Sequence, residues 1–177
     1  MFISLKPFLY TMNSGLLEKL KQLNIISRNP VQLTSGSISD YYIDIKKAYG
    51  SPDVLTAIAE ELWNTMDTRA TCLATAGYGG LPLASVLSVQ SGLPLTLVRI
   101  IPKQHGKITD INGYVPGVWD RVTIVDDVFT TGGSLQEIID VLKPTHAEIL
   151  ECAVVVKQGE GMLEVPLTYV LRAEELL

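Results

Sequence analysis

The 177-residue sequence is poor in the residues that mark several classes of protein. It has 2 cysteines, Cys72 and Cys152, and each lies in an apolar stretch of the kind that usually buries a free thiol. Such scarcity excludes a disulfide framework and fits a reducing compartment such as the cytoplasm. Its 14 basic residues are outnumbered by 19 acidic ones, for a net charge of −5, and no Lys/Arg stripe stands out. Nucleic acid is therefore a poor candidate partner.

An uninterrupted apolar segment is also missing. The opening MFISLKPFLYTM contains Lys6 and Pro7 and has no small-residue cleavage site, so we expect no signal peptide. Residues 70–98 carry no charge and are long enough to span a bilayer, but glycines and prolines interrupt them throughout. These interruptions predict a strand, a glycine turn, a helix and another strand in a doubly buried core, and no contact with a membrane.

Alternating strand and helix patterns indicate the fold. Periodicity predicts helices over 15–23, 53–66, 81–91 and 134–142, strands over 72–76, 95–98, 122–125 and 148–156, a hairpin over 31–45 and a polar loop over 100–118. Such an order is typical of an α/β fold with a central, mostly parallel sheet and helices on both faces. We predict a single domain over 1–177, with a small N-terminal hood over about 1–48.

The strongest chemical signal is the run RVTIVDDVFTTGGSLQEIIDVL. A buried strand ends in Asp126 and Asp127, and Thr130-Thr131-Gly132-Gly133-Ser134 follows just before a helix. Glycine amides, hydroxyl groups and the positive end of a helix together form a site for a monophosphate. The nucleotide P-loop is excluded because no Gly-Lys-Ser/Thr follows. Since carboxylates accept hydrogen bonds from hydroxyl groups, the adjacent pair points to a ribose phosphate.

Within that run, VTIVDDVFTTGGS closely resembles the phosphoribosyl-pyrophosphate motif of type I phosphoribosyltransferases. Three other segments resemble the orotate-specific members of this family. RIIPKQHGKITDINGYVPG is similar to their mobile catalytic loop, TSGSISDYYIDI to their hood, and TAGYGGLPLA to their pyrophosphate loop with the helix after it. Here the mobile loop would cover about residues 100–118.

The resemblance implies an orotate phosphoribosyltransferase, a glycosyltransferase of pyrimidine and UMP biosynthesis. Such an enzyme transfers ribose 5-phosphate from phosphoribosyl pyrophosphate to a ring nitrogen of orotate, giving orotidine 5'-monophosphate and pyrophosphate. It further implies Mg²⁺ bound mainly through the diphosphate, with no direct protein ligand. We also expect a homodimer in which the mobile loop reaches the neighbouring active site.

Each matched motif implies roles for its residues. The catalytic cations would be Arg99, Lys103 and His105, which meet the charge that develops on the leaving pyrophosphate. The phosphoribosyl group would be bound by Asp126, Asp127, Thr130, Thr131, Gly132, Gly133 and Ser134. The pyrophosphate loop would be Ala76, Gly77, Tyr78 and Gly79, and the residues near the base would be Ser35, Gly36, Tyr41, Tyr42 and Lys157.

The sequence departs from the family pattern where cations are usual. The pattern has lysine at the positions of Thr34, Gly79 and Ile100, and it has Asp-Arg where this chain has Val156-Lys157. Charge could come instead from elsewhere, with the candidates Lys46, Lys47 and Lys107. Alternatives therefore stay open at this point: transfer to another base such as a purine, a non-catalytic phosphoribosyl-pyrophosphate sensor, or a receiver-type switch domain.

Overall fold

The structure is a computed structural model that describes residues 14–28, 31–32, 38–39, 41–103 and 106–177. Its helices are α1 (Ser14–Gln22), α2 (Pro52–Thr65), α3 (Gly77–Ser91) and α4 (Gly133–Leu142), with 3₁₀ turns at Ile45–Gly50, Lys143–Thr145 and Ala173–Leu176. Its strands are β1 (Ile26–Ser27), β2 (Val31–Gln32), β3 (Ile38–Ser39), β4 (Tyr42–Ile43), β5 (Cys72–Thr75), β6 (Leu95–Lys103), β7 (Gly106–Gly113), β8 (Arg121–Phe129), β9 (Glu148–Lys157) and β10 (Leu167–Arg172).

The central sheet has the strand order β10-β9-β8-β5-β6-β7 within the described part of the chain. The first five of these strands are mutually parallel, and β7 joins the edge antiparallel to β6. In such a sheet, ligands bind at the carboxyl ends of the strands. Here those ends bring together the last residues of β5, β8 and β9.

Apolar side chains from both faces of the sheet form the core. Helices α1, α2 and α3 cover one face, where Ile58, Leu83 and Val125 are fully buried. Helix α4 covers the other face, packing Leu135 and Ile138 against strand residues. The predicted α/β class, with helices on both faces of a mostly parallel sheet, is confirmed. Among the described helices, none has both the length and the apolar character needed to cross a bilayer.

Short antiparallel pairs precede the central sheet, in the region predicted as a hood. Strand β1 pairs with β4, and β2 pairs with β3. The β2–β3 pair agrees with the predicted hairpin. After β4, the 3₁₀ turn Ile45–Gly50 leads into α2 and inserts Ile45 and Ala48 into the core.

Two predicted boundaries differ from the structure, and one strand was missed. Helix α3 begins at Gly77 and not at 81, because its first turn packs against β5 and β8 and this packing overrides the low helix propensity of glycine. Strand β8 continues beyond 125 to Phe129, so the acidic pair lies within the strand. Strand β10 was not predicted, although LTYVLR has the β-branched and aromatic content that favours strands.

The largest difference concerns the predicted loop over 100–118. Most of it is strand: β6 extends to Lys103, β7 occupies Gly106–Gly113, and their ladder continues to the pair Lys103 and Gly106. Polar and charged residues concealed this pair of strands, because an antiparallel ladder does not need a continuous apolar run. We refer to β6 after Val98, together with β7, as the strand arm.

Candidate functional site

Asp126 and Asp127 are neighbours on β8, and their side chains point to opposite faces of the sheet. Asp126 lines a cavity on the α4 side, whereas Asp127 contacts the first turn of α3. The alternation of a strand therefore separates the two carboxylates that the sequence places side by side. Both are also hydrogen-bonded locally, because the Asp127 amide donates to Asp126 Oδ1 and the Val128 amide donates to Asp127 Oδ1, each at 2.9 Å.

The environments of the two carboxylates differ in charge. Burial raises the pKa of Asp126 above its usual range, and the nearby negative charge of Asp127 raises it further. Asp127 has a cation beside it, because Lys46 Nζ lies 3.3 Å from its Oδ2. The same ammonium lies 3.1 Å from Asp44 Oδ1. The site thus holds one carboxylate inclined to keep a proton and another that is ion-paired.

The cavity beside Asp126 has the form of an anion site. It measures about 240 Å³ and is lined by Asp126, residues 128–135 and Glu137. Gly132 has φ +87°, a left-handed conformation, and caps α4 with its carbonyl accepting from Gln136 N at 2.8 Å. The amides of the first helical turn have no acceptor within the helix, and they point into this space together with the positive end of the helix dipole. All five residues predicted for the cradle, 130–134, line this one cavity.

A loop that sequence reasoning missed supports the cradle from behind. The backbone amide of Gln158 donates to the Phe129 carbonyl at 2.8 Å. A Cβ added at Gly159 or Gly161 would collide with the backbone carbonyl of Thr130 or Thr131, respectively. The segment QGEG after β9 therefore packs backbone to backbone against the cradle. The sequence signal for this contact was the pair of glycines, separated by one residue, that follows a buried strand, because glycine lets two backbones approach closely.

The predicted pyrophosphate loop forms the first turn of α3. Gly77 has φ +70°, and Ala76 is the extended residue before the helix. A Cβ at Gly79 would lie 2.8 Å from Asp127 Oδ2 and closer still to Oδ1, so this turn and Asp127 are in direct contact. Tyr49 fixes the turn from the other side, because its hydroxyl donates to the Gly79 carbonyl at 2.9 Å. Tyr78 is 88% exposed.

The predicted catalytic cations lie on or near the strand arm. Arg99 is paired with Asp110 across the ladder, with Nη2 3.3 Å from Oδ2, and both side chains are substantially exposed. Lys103 lies at the end of β6, opposite Gly106. His105 lies outside the described residues. The structure therefore places Arg99 and Lys103 on one strand, with the Arg99 guanidinium paired to Asp110.

The residues predicted near the base are dispersed. Ser35 and Gly36 lie outside the described residues. Tyr41 packs partly against the core, and its carbonyl accepts from Gln158 Nε2 at 3.3 Å, while the Tyr42 ring lies 6.0 Å from Lys46 Nζ. Lys157 Nζ binds Glu160 Oε2 at 2.8 Å and lies 6.0 Å from the centre of the Tyr169 ring. Gln158 links the hood to the cradle-supporting loop, a connection that sequence reasoning also missed.

Among the described residues, no group of three or more His, Cys, Asp or Glu side chains is placed to hold a metal ion. Oxygen ligands suit Mg²⁺, which commonly keeps several waters and binds through one or two carboxylates together with substrate phosphates. Asp126 and Asp127 fit that limited role.

Comparison with known proteins gives consistent matches. A family model for the phosphoribosyl transferase domain matches residues 44–172. Orotate phosphoribosyltransferase from Methanopyrus kandleri is 39% identical over 167 residues, covering 91% of this chain and 90% of that protein. The crystal structure of orotate phosphoribosyltransferase from Aeropyrum pernix superposes with a TM-score of 0.81 at 30% identity, covering 92% of this chain and 96% of that one. Adenine phosphoribosyltransferase from Rhodothermus marinus gives a TM-score of 0.66 at 25% identity, covering 90% and 99%.

Proposed function

Because this chain belongs to the phosphoribosyltransferase family, as its VTIVDDVFTTGGS run predicted, we propose that it is an orotate phosphoribosyltransferase. The observation that carries the proposal is the cavity in which Asp126 and residues 130–134 face the start of α4, beside a second carboxylate that contacts the first turn of α3. Curated orotate enzymes that match at 33–39% identity over most of the chain support orotate as the acceptor.

The two sides of β8 suggest how phosphoribosyl pyrophosphate is held. Its 5-phosphate occupies the cavity at the start of α4, where backbone amides and hydroxyl groups donate to it. The ribose lies over the end of β8, with its hydroxyls donating to Asp126 and Asp127. The diphosphate extends toward the first turn of α3, whose amides and helix dipole favour an anion.

The reaction exchanges one bond at the anomeric carbon of the ribose. The bond from this carbon to the diphosphate oxygen breaks, its electron pair leaves with pyrophosphate, and a ring nitrogen of orotate forms the new bond. Positive character grows on the ribose and negative charge on the leaving group, so cations near the diphosphate lower the barrier. Arg99, Lys103 and His105 are the proposed sources. When bound through the diphosphate, Mg²⁺ would add further charge neutralisation.

Recognition of the base involves the hood and the end of β9. Tyr42 and Lys157 are the proposed contacts from described residues, together with Ser35 and Gly36. Lys157 would have to leave Glu160 to pair with the orotate carboxylate. The Lys157 side chain is only 14% exposed, whereas that of Glu160 is 80% exposed, so Glu160 can turn into solvent when the orotate carboxylate takes its place beside the ammonium.

Assembly and location follow from the same assignment. We propose a homodimer in which the strand arm reaches the neighbouring site, supported by the projection of β6 and β7 from the sheet edge. A cytoplasmic location is supported by the two free, buried cysteines, Cys72 and Cys152. The partners are then the small-molecule substrates and a second copy of the chain.

The deciding experiment measures pyrophosphate release from phosphoribosyl pyrophosphate with Mg²⁺ in the presence of orotate, uracil, adenine, guanine, hypoxanthine or xanthine. We expect release with orotate alone. Release with a purine would identify that purine, and not orotate, as the acceptor base. Tight binding of phosphoribosyl pyrophosphate without release for any base would instead identify a sensor.

A further inference from the structure

The first turn of α3 faces a diphosphate without a cation of its own. Its residues Gly77, Tyr78, Gly79 and Gly80 are uncharged. A side chain at 79 would also collide with the carboxylate of Asp127, so a cation cannot be accommodated there while Asp127 keeps its position. Asp127 itself adds negative charge to this place. Binding a multiply charged diphosphate here therefore requires positive charge from another element.

Lys46 supplies that charge from the hood side. It belongs to the 3₁₀ turn Ile45–Gly50, and Tyr49 of the same turn donates to the Gly79 carbonyl at 2.9 Å. The turn that carries Lys46 is thus attached directly to the start of α3. Lys46 Nζ lies 3.3 Å from Oδ2 of Asp127, the carboxylate that also contacts Gly79.

The ammonium group of Lys46 can take another partner. It has three donors, and its contacts with Asp127 and Asp44, at 3.3 and 3.1 Å, leave one of them. Its side chain is 38% exposed, so an incoming anion can approach it from solvent. Lysine is a flexible point charge, which allows it to move a short distance while it stays in the site.

We propose that Lys46 binds the diphosphate of phosphoribosyl pyrophosphate, resting on the function proposed above. In the free protein Lys46 neutralises Asp127. When substrate binds, one of its donors turns to the diphosphate, and Asp127 accepts from the ribose hydroxyls. Lys46 is then a substrate-binding residue supplied by the hood, in place of a cation on the first turn of α3.

Lys47 provides a matched control. It is the next residue of the same turn, but its Nζ donates to the Asn24 carbonyl at 2.9 Å on the exposed surface. Changing Lys47 removes the same charge from the same element without touching Asp127. Any effect of Lys46 that arises only from net charge would be shared by Lys47.

The test compares three ligands by isothermal titration calorimetry with Mg²⁺ present: phosphoribosyl pyrophosphate, inorganic pyrophosphate and ribose 5-phosphate. We expect Lys46→Met to weaken binding of both diphosphate ligands by about tenfold or more, as loss of a charged hydrogen bond does. Ribose 5-phosphate, which lacks the diphosphate, should bind within about twofold of wild type. Lys46→Arg should recover most of the lost affinity, and Lys47→Met should bind all three ligands normally.

Two results would overturn the proposal. Unchanged affinity of Lys46→Met for the diphosphate ligands would remove Lys46 from the site. An equal loss for ribose 5-phosphate would mean that Lys46 only holds Asp127 in place. Circular dichroism of each variant verifies folding, and Lys46→Gln, which is also uncharged, replaces Lys46→Met in the comparison if that variant unfolds. Failure of the proposed function is a different outcome, because it would appear in the wild type as pyrophosphate release with another base or with none, whatever the Lys46 variants bind.

Discussion

The proposed site has two ends, one for the phosphoribosyl group and one for the base and diphosphate, and they are built in different ways. The phosphoribosyl end consists of one continuous segment, from Asp126 to the first turn of α4, and it offers backbone amides whose positions are fixed by a strand and a helix. The base and diphosphate end draws on separate segments, and its cations pair with carboxylates: Lys46 with Asp127, Arg99 with Asp110, and Lys157 with Glu160.

This difference indicates how each end would bind its part of the substrate. Fixed amides bind a phosphate without rearrangement, so the phosphoribosyl end is preorganised. Cations held in partly exposed ion pairs must exchange one carboxylate for a substrate anion. A substrate anion that replaces the carboxylate keeps the cation paired, so the cation is not left without a counter-charge during this exchange. We therefore expect changes at the first end to affect affinity and changes on the strand arm to affect turnover.

The largest effect should come from Asp127→Asn, which removes the charge at the junction of the two ends. Loss of charged hydrogen bonds to the ribose should weaken phosphoribosyl pyrophosphate binding by about 10- to 100-fold. Titration calorimetry measures this. Asp140→Asn, on the exposed side of α4, is the control and should bind normally. Equal affinities of Asp127→Asn and wild type would contradict the ribose role of Asp127.

Lys103→Ala tests the other end. Because Lys103 is expected to act on charge that develops only during bond breaking, kcat should fall by about tenfold or more, while binding of phosphoribosyl pyrophosphate changes little. Steady-state kinetics and calorimetry separate the two quantities. Lys19→Ala, on the exposed face of α1, serves as control. Unchanged turnover would remove Lys103 from the catalytic residues.

Gly161→Ala should disturb the phosphoribosyl end indirectly. The added Cβ collides with the Thr131 backbone, so the cradle must shift, at a cost typical of overpacking, about 1–3 kcal/mol. Part of this cost should appear as a KM for phosphoribosyl pyrophosphate raised severalfold, and part as a lower melting temperature. Gly117→Ala, where a Cβ meets nothing within 4 Å, should leave the melting temperature unchanged. A normal KM in Gly161→Ala would show that the supporting loop does not position the cradle.

The smallest effect concerns pH. The folded state raises the pKa of Asp126, so folding favours its protonated form, and the resulting stability is lost as pH rises from the ordinary Asp range through the raised value. Asp126→Asn should therefore melt about 2–4 °C above wild type at pH 8, with the gap closing toward pH 4. Asp140 has the opposite shift, because a hydrogen bond from Lys143 lowers its pKa. Asp140→Asn should thus not raise the melting temperature at pH 8. A melting-temperature difference between Asp126→Asn and wild type that does not change with pH would contradict the raised pKa of Asp126.

Features formed within one segment of the chain were predictable from the sequence, whereas contacts between distant segments were not. The order of strands and helices and the cradle over 130–134 follow from local patterns, because a glycine-rich turn between a buried strand and a helix specifies its own geometry. The opposite directions of Asp126 and Asp127 also follow from strand alternation, once β8 is known to reach Phe129.

The contacts that complete the site depend on the tertiary fold. Lys46 is 81 residues away from Asp127 in sequence, and only the packing of the 3₁₀ turn against α3 selects it over Lys47. Gln158 reaches the hood across 117 residues. The strand arm was predicted as a loop because charged and polar residues interrupt its apolar ones, so its sequence shows little regular hydrophobic alternation.

The burial of both cysteines has a practical consequence. Burial raises the pKa of Cys72 to about 11 and that of Cys152 to about 12, so at neutral pH neither thiol forms the reactive thiolate. A cysteine introduced at an exposed position such as Trp119, which is 91% exposed, would then be labelled selectively by a maleimide dye with both native thiols still in place. The wild-type core can thus serve directly as the background for fluorescence measurements.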